Sequence, residues 1–69
     1  MNGYVFKLEK DKGFGFIRDE QGMSRFFNAK HVLPQIEFDK MNEGQKVTFD
    51  PTQVQGKGNG LRAENVRLV

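Results

Sequence analysis

Apolar and polar positions alternate in short stretches along this chain, and glycines or charged clusters interrupt them every few residues. A period of two marks strands with one buried face. The first strand is expected from Gly3 to Leu8, on the β-formers Tyr4, Val5 and Phe6, with a charged turn from Glu9 to Gly13. The second covers Phe14 to Arg18, and a turn from Asp19 to Met23 leads to a third at Arg25 to Asn28. Ala29 to Met41 shows no period. His31 to Pro34 has room for one helical turn, limited by Pro34, because proline disfavours helix at the residue before it. Asn42 to Gly44 turns into a fourth strand, Lys46 to Phe49, which Pro51 ends or marks as an edge. The loop from Gly56 to Gly60 has three glycines in five residues and is expected to be flexible. A last strand, Arg62 to Leu68, carries Ala63, Val66 and Leu68 as its apolar positions. Five short strands without a long helix and with closely spaced turns predict an all-β fold, a small five-stranded antiparallel barrel. Closure into a barrel leaves no sheet edge exposed.

The alternation also says which way the rings face. Successive side chains point to opposite sides of a strand. Phe14 and Phe16 therefore share one face of the second strand, and Gly15 and Ile17 share the other. In the third strand Phe26 and Asn28 oppose Arg25 and Phe27. Ile17 and Phe27 suit a core, whereas a buried Asn28 needs partners for every polar atom of its amide. The assignment adopted puts Phe14, Phe16 and Phe26 outside. The reverse assignment would make Phe14 and Phe16 core residues and bury Asn28. Gly13 and Gly15 add no bulk beside the rings, so a flat partner is expected to approach closely there. An exposed aromatic patch marks an interaction surface, and nucleic acid bases are flat partners that stack on such rings.

Composition narrows the picture. Sixty-nine residues make one domain, 1–69, of marginal expected stability, because a chain this short buries only about 60% of its unfolded surface. Without cysteine there are no disulfides or thiolate metal sites. No apolar run is long enough for a membrane span, and no signal-peptide pattern precedes the first strand, so a cytoplasmic location is expected and no membrane partner. The net charge of +2 is too small to predict nucleic acid binding by itself. Seven phenylalanines with no tryptophan are a heavy load for so small a core.

Two families carry the motif KGFGFI, Lys12 to Ile17. The RNA-recognition-motif signature matches its first five positions. It then requires an aromatic where Asp19 stands, and two substantial helices for which this chain has no place. The chain resembles the bacterial cold-shock domain more fully, over nearly its whole length, and the resemblance implies a five-stranded antiparallel barrel of the oligonucleotide-binding type. KGFGFI looks like that family's first ribonucleoprotein motif, and RFFN, Arg25 to Asn28, stands where its second is written V-F-V-H. NEGQKVTFD, Asn42 to Asp50, is similar to its fourth strand. The ending LRAENVRLV, Leu61 to Val69, is similar to its A-x-N-V closing strand through Ala63, Asn65 and Val66.

The resemblance implies binding of single-stranded RNA or DNA on Phe14, Phe16 and Phe26. It also implies an RNA-chaperone role or regulation of transcription or translation. Phe38 looks like the family's loop aromatic, in a loop one residue longer here. Lys12 matches the basic residue at the head of the first motif. Lys57 and Arg62 lie in or beside the glycine-rich loop, and plain solvated charge fits them equally. Lys7 stands where the family has tryptophan, and Phe6 where it has lysine. A bulge exchanging the two roles and a Phe6 buried in the core both fit the pattern. Asn28 replaces the second motif's histidine, keeping its hydrogen-bonding capacity without a ring, and Ala29 stands where another aromatic is common. About half of the usual stacking surface remains, which sets the expected affinity for short oligonucleotides at about micromolar, near −8 kcal/mol.

Other chemistry finds no support. The loop GKGNG lacks the spacing of a phosphate-binding P-loop. His31 is the sole histidine, so no metal is expected, and Ser24 has no histidine placed beside it for nucleophilic catalysis. Asp19, Glu20, Glu37 and Asp39 read as solvated turn residues. The chain is expected to be a monomer and not an enzyme, without cofactor or small-molecule substrate. The rival reading is a degenerate barrel that has lost nucleic acid binding and serves as a protein-interaction module, or as the N-terminal domain of a larger protein.

Overall fold

The alternating stretches form five strands: β1 Asn2–Glu9, β2 Phe14–Asp19, β3 Ser24–Asn28, β4 Lys46–Gln53 and β5 Leu61–Leu68. In the computed structural model, which describes residues 1–54 and 60–69, they close into a barrel in the order β1–β2–β3–β5–β4. Four of its seams are antiparallel. The expected barrel thus forms with one parallel seam, where β3 meets β5 through the pair Phe26 and Arg62. β4 also runs past its expected end at Phe49, through Pro51. β1 pairs with β4 only at Lys46 to Thr48, so one side of Pro51 faces no neighbouring strand and its missing N–H costs no ladder bond. Above that short pairing, the free edge of β1 is covered by the turn before β4. There Val5 N–H donates to the Gln45 carbonyl at 2.9 Å and Leu8 N–H to Glu43 Oε2 at 3.1 Å.

Two short 3₁₀ helices, Ala29–His31 and Gln35–Lys40, organise the stretch that showed no period. The helical turn expected at His31 to Pro34 forms earlier, because Asn28 starts it. The Asn28 Oδ1 accepts from the Lys30 amide at 2.8 Å, and Val32 has already left the turn to bridge Val66. The core joins Val5, Ile17, Phe27, Val47, Phe49, Ala63 and Val66 from the strands to Val32, Phe38 and Met41 from this connection. Nothing wider than a few side chains fits inside, so the barrel is filled rather than hollow.

One charged pair sits within this apolar filling. Arg25 shares the inner face of β3 with Phe27, and its Nε donates to Asp19 Oδ2 at 2.9 Å. The two side chains are 9% and 0% exposed. Asp19 was expected to be a solvated turn residue. Instead its other oxygen accepts from the Gln21 and Met23 amides, both at 2.9 Å, and shapes the β2–β3 turn from within. The Arg25 Nη1 reaches across the barrel to the carbonyls of Arg62 at 2.9 Å and Thr52 at 3.1 Å. A single guanidinium thereby ties β3 to β5 and β4 at the seam where strand pairing is thinnest.

Burial alone would push the Asp19 carboxyl up, but the Met23 amide, the Arg25 guanidinium and the Gln21 amide more than offset it. The net result is a carboxyl held below its ordinary value of 3.8. A depressed carboxylate stabilises the fold above its unfolded pKa, and that contribution is lost as pH falls through the lower folded value. Removing one member of a buried pair leaves the other charge uncompensated. Asp19→Ala should therefore lower the unfolding free energy at neutral pH by about 3–5 kcal/mol in urea titrations. The wild type should lose stability below about pH 4, and Asp19→Asn should show a flatter dependence there.

Candidate nucleic-acid interface

The outer face of the barrel is set by what the inner face requires. With Ile17, Phe27 and Arg25 inside, Phe14, Phe16 and Phe26 emerge together on β2 and β3, all partly exposed. Phe16 and Phe26 are cross-strand partners, as are Phe14 and Asn28. Their rings touch: centroids lie 5.8 Å apart for Phe16 and Phe26, 5.7 Å for Phe14 and Phe26, and 6.0 Å for Phe14 and Phe16. Two of these contacts are edge-to-face, the favoured geometry for aromatic pairs.

A bulge in β1 extends the cluster. The register against β2 shifts between Val5, opposite Ile17, and Lys7, opposite Phe16, which leaves Phe6 as the extra residue. A bulge turns two consecutive residues toward one partner. Phe6 and Lys7 therefore both lie on the outer face, and the Phe6 ring stands 6.2 Å from that of Phe16. Of the two readings left open for Phe6, the bulge is the one that forms, and it adds a fourth ring without removing Lys7 from the surface.

Cations frame the rings. The Arg62 guanidinium lies 4.6 Å from the Phe26 centroid, and that of Arg18 lies 4.5 Å from the Phe6 centroid. Arg18 is held there by a 3.0 Å hydrogen bond from its Nη1 to the Gly22 carbonyl. Lys7, opposite Phe16, and Lys12, at the end of the turn before Phe14, are both exposed. Arg18 was not singled out in the sequence, although the alternation that paired Phe14 with Phe16 reaches it two residues later.

The other expected site residues fare differently. Phe38 is only 5% exposed, with its ring 6.3 Å from that of Phe27, so it belongs to the core and presents no surface ring. The second 3₁₀ helix turns Phe38 inward and leaves Ile36 as its exposed apolar residue, at 67%. Asn28 lies on the ring face, but its acceptor oxygen is engaged by the Lys30 amide, where it caps the first 3₁₀ helix. Lys57 lies outside the described residues.

Gly15 also serves a different purpose from the expected one. It is buried, and a Cβ there would meet the Lys7 carbonyl at 2.8 Å and Phe27 Cζ at 2.9 Å. Its bareness makes room for Phe27 inside the barrel, not for a partner outside. Gly13, by contrast, is needed for its backbone: it closes the turn after β1 at φ +76°, with open space around it. Gly15→Ala should therefore destabilise the fold by about 1–3 kcal/mol, the usual cost of overpacking. Oligonucleotide affinity per folded molecule should stay within about twofold, measured by anisotropy on samples corrected for the unfolded fraction.

Among the described residues no three His, Asp or Glu side chains converge on a metal position, and no helix is long and apolar enough to cross a membrane. A family model described as a 'Cold-shock' DNA-binding domain matches residues 1–69. The cold shock-like protein CspA of Shewanella violacea is 38% identical over 64 residues, covering 93% of this chain and 87% of the relative. Cold shock protein 2 of Lactiplantibacillus plantarum is 39% identical over 66 residues, 96% of this chain and 94% of its own. The cold shock-like protein CspG of Escherichia coli K12 is 39% identical over 66 residues, with 96% and 90% covered.

Proposed function

This chain belongs to the cold-shock domain family, and from that premise we propose that it binds single-stranded RNA or DNA by stacking bases on Phe6, Phe14, Phe16 and Phe26. The observation that carries the reading is the contiguous ring cluster on β1, β2 and β3, with Arg18 and Arg62 at its two ends. Ring faces accept any base, so the binding is tolerant of sequence. Lys7, Lys12, Arg18 and Arg62 meet the phosphates. Bases in a duplex keep their faces against each other, so the site selects unpaired strands. Holding them unpaired shifts RNA folding equilibria by mass action, which is a chaperone or regulatory role without a chemical step.

Phe6 changes the balance between this reading and a protein-interaction barrel. The rings missing at Lys7, Asn28 and Ala29 motivate that rival, and the bulge supplies a ring beside the first of them. Four rings at about 1–3 kcal/mol each, less the cost of ordering the strand, place affinity at about micromolar or somewhat tighter.

Phe6→Ala, Phe16→Ala and Phe26→Ala should each weaken a labelled pyrimidine-rich single strand by about 1–3 kcal/mol in fluorescence anisotropy, with duplex of the same sequence binding far less. If all four cations contact phosphate, log Kd should rise with log salt at a slope of about 3, and Lys7→Ala should lower that slope by about 0.7. Binding that ignores salt, or alanine variants that bind as the wild type does, would overturn the proposal.

A further inference from the structure

The outer face does not end at Phe6. Tyr4 precedes it by two residues on the same side of β1 and is 45% exposed. Its cross-strand partners are Arg18 on β2 and Lys46 on β4, so a cation flanks it on each side. Arg18 joins this patch to the ring cluster, since the same guanidinium lies over Phe6. Beside Tyr4 the surface dips into a concavity of about 580 Å³, walled in part by Tyr4, Val47, Arg18 and Lys46. Two acids also line it: Asp19, whose carboxylate is engaged by Arg25, and Glu20, whose carboxylate accepts from the Asn2 amide at 3.0 Å.

From this continuity we infer that the single-strand track runs on past Phe6, over Arg18, to a further nucleotide position formed by Tyr4 and Lys46. This rests on the stacking function proposed above and lengthens the site it describes. The occupant is the same nucleic acid strand. An aromatic ring between two cations suits a base followed by its phosphate, whereas a second copy of this chain would bring like charges together. Arg18 serves both halves, because a guanidinium offers a flat face to a base and a fork to a phosphate. In this geometry a short strand fills the ring cluster, and only a longer one reaches Tyr4.

The chain has one tyrosine and no tryptophan, so Tyr4→Trp places a lone indole at the position in question. The probes are oligothymidylates of about four and about eight nucleotides, at the low end of the site sizes of such barrels. The expected result has two parts. The longer probe quenches the indole and the shorter one does not, although anisotropy shows that both bind. Tyr4→Ser, whose half-exposed site leaves the core intact, weakens the longer probe about tenfold and leaves the shorter unchanged. If the indole emission stays flat for both probes and Tyr4→Ser binds the longer one normally, while Phe16→Ala weakens both, the track ends at Phe6 and the inference fails alone. If the wild type binds neither probe at low salt, the stacking function fails and takes this inference with it.

Discussion

The orientation of this barrel's ring-bearing face depends on one buried guanidinium. Strand β3 carries a polar residue on each side, Asn28 on one and Arg25 on the other, so either way round it must place polar atoms toward the interior. Arg25 goes in because its charge and donors have partners there: the Asp19 carboxylate and the carbonyls of Thr52 and Arg62. A buried ion pair rarely gains much net free energy over an apolar pair of the same size, but an unmatched one is expensive. In this barrel the pair discriminates more than it stabilises. A slip of β3 by one residue would face Arg25 to solvent, strand the Asp19 carboxylate among apolar groups and send Phe26 inward. The same contact fixes a face and closes the parallel seam between β3 and β5.

Once β3 is oriented, the outer face is largely a consequence. Phe27 needs space over the neighbouring strand, and Gly15, its cross-strand partner, supplies it. That places Phe14 and Phe16 on the other side of β2, beside Phe26. The four outer rings then pack against one another at 5.7–6.2 Å and are only partly exposed. For the stacking proposed above this is a compromise: mutual contact hides some of the ring surface a base would use, yet it holds each ring in place beforehand. Groups already ordered lose little side-chain entropy on binding.

Much of this was legible in the residues. Alternation gave five strands, their order of occurrence and the outward position of Phe14, Phe16 and Phe26. The cost of burying Asn28 is only half of the matter, because Arg25, on the same face as Phe27, must find a partner inside. The answer, Asp19, lies six residues back, in a turn where acids are usually solvated, and only closure of the β2–β3 hairpin brings the two together. Phe38 was misplaced for a related reason. A run without periodicity carries no signal for which side faces in, and the 3₁₀ helix that rotates Phe38 toward Phe27 is defined by long-range packing. Phe6 lay between these cases: two readings fitted the pattern, and the choice rested on a bulge that no local propensity marks.

That bulge explains how the chain can depart from its family's usual first strand without losing the surface that strand provides. Lysine at position 7 removes a ring, and in a regular strand Phe6 and Lys7 would point to opposite sides. One extra residue in β1 puts both on the outside, opposite Phe16. The aromatic therefore moves one place along the chain while staying beside Phe16, and the lysine adds a charge at the same height. The bulge also leaves β1 alternating normally on its other side, where Val5 remains fully buried against the core. Two residues upstream the same alternation turns Tyr4 outward. A one-residue irregularity in one strand thus couples the ring cluster to the cationic patch beyond it, with Arg18 as the contact common to both.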